Sequence, residues 1–161
     1  MAIAKILVPY DGSKPSDMAV AKAVEIAKAF GEGSEVVLFH AVETIPLLPL
    51  TAVTLKSSRT GEPITAHEYV KEVYYELKAS MTRTLEQKIK QYQGSGVALR
   101  HVVVVGSPPA GKIIEYAKKE GVDMIIIGRV GVRGFSRMLK SLGSVSRSVA
   151  ERAPCPVMIV Q

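Results

Sequence analysis

Met124-Ile-Ile-Ile127 runs straight into Gly128-Arg-Val-Gly131, and eleven residues later comes Gly143-Ser-Val-Ser146. The apolar run reads as a buried strand, and the residues after Gly143 carry a helical pattern. A strand that empties into a glycine-rich loop and then a helix start is suited to hold an anion. Glycines let the backbone approach closely. The unsatisfied N–H groups and the dipole at a helix N-terminus favour negative charge.

Working outward, the same alternation repeats along the chain. Lys5-Ile-Leu-Val8 opens a first strand closed by Pro9, and Asp11-Gly-Ser13 is a turn. Ser16 is a plausible N-cap for a helix marked by Ala19, Ala23, Ile26, Ala27 and Phe30, ended by Gly31 and Gly33. Residues 35–42 form a second apolar strand. Residues 43–66 have no clear period, carry Pro46, Pro49, Gly61 and Pro63, and read as a long loop or lid. Val70, Val73, Leu77, Met81, Leu85 and Ile89 mark one face of a long helix that Gly94 and Gly96 end. Residues 99–105 are a third strand and Gly106-Ser-Pro-Pro109 a turn. Ile113, Ile114 and Ala117 define a helix stopping at Gly121, and residues 123–127 are the fourth strand. A helix over 144–151 and a last strand over 157–160 complete the series.

The strands are near-continuous apolar runs rather than alternating ones. That pattern predicts parallel strands covered on both faces, an open α/β sheet in a single domain over 1–161. Right-handed crossovers then fix most of the topology.

Composition narrows the function classes. The chain has 161 residues, 47% of them apolar and 22% charged, which is ordinary for a globular protein. No apolar run approaches the roughly 20 residues that span a bilayer. The start of the chain lacks a signal-like apolar segment, so a cytoplasmic protein is expected. Cys155 is the only cysteine and reads as structural, with no neighbouring charge to make it reactive. The net charge of +6 is spread out, except for Arg129, Arg133, Arg137, Lys140, Arg147 and Arg152, opposed only by Glu151. This excess overlaps the glycine loop and suits a phosphate partner better than a specific nucleic acid; a solvated basic face is the alternative. No membrane partner is expected.

In an open parallel sheet, ligands bind beyond the carboxyl ends of the strands, where strand order reverses. Four segments lie there: 9–13, 40–42, 105–108 and 128–144. Asp11 can accept a hydrogen bond from a ribose hydroxyl. Ala41 can admit an adenine ring, and Ser144 and Ser146 can donate to phosphate oxygens. Neither a P-loop nor the dinucleotide-binding glycine fingerprint is present.

Taken together, these segments resemble the universal stress protein family, in its nucleotide-binding branch. The matching stretches are Val8-Pro-Tyr-Asp-Gly-Ser13, Leu38-Phe-His-Ala-Val42, Val105-Gly-Ser-Pro108 with Ile113, Asp123-Met-Ile-Ile-Ile-Gly128 and Pro154-Cys-Pro-Val157. The resemblance implies a five-stranded parallel sheet of order 3-2-1-4-5. It implies an ATP or AMP site between strands 1 and 4, with Mg²⁺ as the ion that would accompany the nucleotide, and a homodimer formed through the last strands. By position, Pro9, Asp11 and Ala41 would hold the adenosine, with Tyr10 between the first two and with Ile127 and Gly128. Val130, Gly131, Gly143, Ser144, Val145 and Ser146 would line the phosphates. The branch pattern G-x2-G-x9-G-[ST] is departed from once, because eleven residues separate Gly131 from Gly143. Lys140-Ser141 reads as a two-residue insertion that lengthens the lip of the cradle and leaves ATP against AMP open.

A hydrolase needs a positioned water and stabilised charge on the γ-phosphoryl group. No clear general base accompanies the loop, and His40 reads as a core or rim histidine. His67 and His101 have no metal-ligand partners at suitable spacing. The expectation is therefore a dimeric nucleotide-dependent regulator or sensor with an unidentified protein partner, without catalytic residues. A slow Mg²⁺-dependent ATPase and a nucleotide-free interaction protein are the alternatives.

Overall fold

A computed structural model of the chain describes residues 5–44, 46, 53–130 and 142–161. Its elements run β1 (Lys5–Pro9), α1 (Lys14–Phe30), β2 (Glu35–Val42), β3 (Thr54–Lys56), β4 (Pro63–Thr65), α2 (Ala66–Lys90), β5 (Ala98–Val105), α3 (Pro109–Glu120), β6 (Met124–Gly128), α4 (Ser144–Arg152) and β7 (Val157–Val160).

Five strands form one sheet in the order β5-β2-β1-β6-β7, and every pairing in it is parallel. With β3 and β4 set aside as a separate hairpin, this is the expected 3-2-1-4-5. Ile6, Leu7 and Val8 of β1, Val36 to Phe39 of β2, and Ile125 to Ile127 of β6 are buried. Their apolar runs follow from being covered on both faces. One layer of core joins Ile6, Val8, Val36 and Leu38 to α1 and to Leu85 of α2. The other joins Leu7, Val37 and Phe39 to α3 and to Val149 of α4.

Two expectations change in detail. The N-cap of α1 is Ser13, not Ser16: the Ser13 side chain accepts the Ser16 N–H, and Ser16, 3% exposed, donates its hydroxyl back to the Ser13 carbonyl. Pro15 lies in the first turn, where its missing N–H costs nothing, and this moves the helix start upstream. The loop expected over 43–66 contains an antiparallel hairpin, with Thr54 opposite Thr65 and Lys56 opposite Pro63. Three-residue strands are too short to show a period. The hairpin is tied to α2 by Glu72, whose carboxylate accepts from the Ser57 and Ser58 hydroxyls and the Ser58 N–H. These bonds, the Ser57 hydroxyl first, hold the Glu72 carboxyl below its ordinary range. Thr65 then caps α2 in a reciprocal arrangement with Glu68.

Candidate functional site at the strand ends

From β1 the chain passes through α1 to β2 on one side, and later crosses to β6 on the other. Beyond β1 lies a cleft of about 830 Å³, within the usual range for small-molecule sites. Pro9, Tyr10, Asp11, Ala41, Ile127, Gly128, Val130, Gly143, Ser144, Val145 and Ser146 all line it. Of the expected site residues, only Gly131 is missing from this group; it lies outside the described residues, as do Arg133, Arg137, Lys140 and Ser141.

The floor is a cross-braced turn. Tyr10 donates its N–H to the Phe39 carbonyl at 2.8 Å. Its own carbonyl accepts from His40 Nδ1 at 2.7 Å. A carbonyl oxygen cannot donate, so His40 Nδ1 carries the proton of this bond. His40 is therefore a rim residue that braces β1 to β2. Asp11 accepts the Ser13 N–H at 3.0 Å, closing a turn through Gly12, whose φ of 81° suits glycine. The Tyr10 hydroxyl donates to Asp17 Oδ1 at 2.8 Å, and Lys88 Nζ of α2 meets the same oxygen at 2.7 Å. Burial, the bond to Asp17 and the neighbouring carboxylates push the Tyr10 hydroxyl well above the ordinary tyrosine range.

At the other end, α4 starts at Gly143 without a side-chain cap. The N–H groups of Ser144, Val145 and Ser146 emerge from its first turn, beyond the reach of intrahelical carbonyls. Ser146 lines the cleft but is largely buried. It is 3% exposed, and its hydroxyl lies 2.7 Å from the Arg129 carbonyl and 3.0 Å from that of Gly143. These bonds fix the loop to the helix. Ser144 is exposed at the rim. Gly143 donates its N–H to the same Arg129 carbonyl at 2.9 Å. Arg129 itself reaches Gln161 at 3.2 Å, and Arg152 lies 3.4 Å from the Ser148 hydroxyl.

The turn at 105–108 stands apart from the cleft. Ser107 accepts from the Thr44 N–H and hydroxyl, and Gly106 donates to the Val42 carbonyl. Only Pro109 and Ile113 of that region line the cleft. Leu77, Ser80 and Met81 of α2 line it as well. The 3.6-residue pattern places Leu77 and Met81 on the inward face of α2, but not beyond the end of the sheet. Burial first, then the charge of Asp123, raises the pKa of the Cys155 thiol. Among the described residues no group of three His, Cys, Asp or Glu side chains could hold a metal, and no helix is long and apolar enough to cross a membrane.

Known proteins share this architecture. A family model described as the universal stress protein family matches residues 2–161. The universal stress protein YxiE of Bacillus subtilis is 32% identical over 157 residues, covering 98% of each chain. The solved structure of universal stress protein UspA from Lactobacillus plantarum superposes with a TM-score of 0.77 at 21% identity, covering 100% of this chain and 99% of its own. A universal stress protein in complex with cAMP has a TM-score of 0.65 at 21% identity, covering 100% and 98%. One from Arabidopsis thaliana with AMP bound has a TM-score of 0.61 at 20% identity, covering 98% and 90%. With its strand order, its cleft and a family match over nearly its whole length, the chain belongs to the universal stress protein family.

Proposed function

We propose that the cleft binds an adenine nucleotide, ATP or AMP, and that the protein is a nucleotide-dependent regulator or sensor in a stress response. One observation carries the reading: Gly131 apart, the residues expected to hold adenosine and those expected to hold phosphate line a single cleft beyond β1 and β6. The uncapped first turn of α4 offers three N–H groups to a phosphate. Asp11 offers a carboxylate to the ribose, and Ala41 a small side chain beside the ring. The AMP and cAMP complexes of the two structural relatives support the same ligand class. Mg²⁺ would arrive with the nucleotide.

The working protein is a cytoplasmic homodimer. Support comes from β7, whose residues Val157 to Val160 are all half-buried and which is the outermost strand of the sheet among the described residues. Titration calorimetry with AMP and ATP tests the ligand: saturable 1:1 binding is expected, and no heat at millimolar nucleotide would sink the reading.

A further inference from the structure

The cleft reaches over both faces of the sheet. Val36 and Leu38 of β2 pack in the core beneath α1 and α2, whereas Val37, Phe39 and Ala41 pack toward α3. Strand alternation therefore puts His40 on the α2 side and Ala41 on the α3 side. Adenine beside Ala41 and phosphate at α4 leave the α2 side of the cleft to something else. That side is bounded by Tyr10, His40, Leu77, Ser80 and Met81. Met81 packs against the core, but Leu77, one turn before it, is 44% exposed. The leucine is thus an open apolar wall on a cleft rather than part of the core. Beside it, Ser80 and the His40 ring supply polar groups. Asp11 lines the cleft in the turn from β1 into α1, directly after Tyr10, whose hydroxyl shares Asp17 Oδ1 with Lys88 of α2.

We propose that the α2 side is a second subsite that takes an apolar acyl or aryl group carried on the ribose of the bound nucleotide. The inference rests on the nucleotide reading above. A ribose held at Asp11 has its hydroxyl edge at the threshold of this subsite. An ester on one hydroxyl leaves the other for the carboxylate, and the substituent lies against Leu77 and Met81. The ligand class is then a ribose-acylated adenine nucleotide, in preference to the bare nucleotide.

The test compares AMP with its 2′(3′)-O-(N-methylanthraniloyl) ester by calorimetry on the whole chain. The ester is expected to bind about tenfold more tightly, as burial of an aromatic group against two apolar side chains warrants. Leu77→Ala, which trims the apolar wall without adding charge to the cleft, should remove most of that advantage, read as the ratio of ester to AMP affinity in the same variant. If AMP binds and the ester binds no better, or if its advantage survives Leu77→Ala, the subsite is overturned and the nucleotide reading stands. If neither ligand binds, the nucleotide reading itself fails and the subsite with it.

Discussion

A Cβ on Gly128 would lie 2.8 Å from both the Cβ and the carbonyl carbon of Pro15. The end of β6 and the first turn of α1 are in contact at this point, and only a hydrogen fits between them. Gly128 therefore has a role that no phosphate requires: it lets α1 begin close to the sheet, which sets where Asp11 and Ser13 stand. Because the obstructing atoms belong to backbone and to a rigid ring, they cannot swing aside. Gly128→Ala should destabilise the protein by about 1–3 kcal/mol. Differential scanning calorimetry should show the melting temperature falling by about 2–10 °C. An unchanged melting temperature would mean that α1 yields freely.

Ser146 and Ser144 are two residues apart and should behave differently. The Ser146 hydroxyl, 2.7 Å from the Arg129 carbonyl, holds the glycine loop on α4. Ser146→Ala should cost about 1 kcal/mol of stability, measured by urea unfolding, and should also weaken AMP binding. Ser144 is exposed, so Ser144→Ala should leave stability within about 0.5 kcal/mol and weaken AMP alone. Equal stability loss in both variants would contradict the inward role of Ser146.

Tyr10 gives a pH signature. Its folded pKa is raised, by burial first and then by the bond to Asp17. A raised pKa means that the native state favours the protonated hydroxyl. The stabilisation is fully present below the unfolded value of about 10 and is lost as pH rises above it. Unfolding free energy followed between pH 8 and 11 should decline at the alkaline end. In Tyr10→Phe the decline should be shallower, with lower stability at pH 8. Parallel curves for the two proteins would count against a buried, Asp17-bonded hydroxyl.

The sheet was legible because its physics is local. Residues 35–42 and 157–160 read as apolar runs of strand length, and both are strands with these bounds. The clustering of Pro9, Ala41 and Gly143 was legible because parallel strands bring their carboxyl ends to one rim. What escaped depends on long-range packing or on weak local signals. Leu77 and Met81 join the cleft only because a 25-residue helix overhangs the strand ends. The hairpin at 54–65 leans on Glu72, a residue in the next element, so nothing within the segment announces it. Ser13 and Ser16 are equally good caps by type, and the choice falls to the placement of Pro15 in the first turn. Ser146 carries no mark in the sequence that tells an inward hydroxyl from an outward one.

The most direct measurement is an amide ¹H–¹⁵N correlation spectrum of the protein titrated with AMP. Saturable shifts are expected at the amides of Asp11, Ala41, Gly128, Ser144, Val145 and Ser146, the backbone groups around the cleft. Shifts confined to other regions, or none at millimolar AMP, would contradict the nucleotide reading.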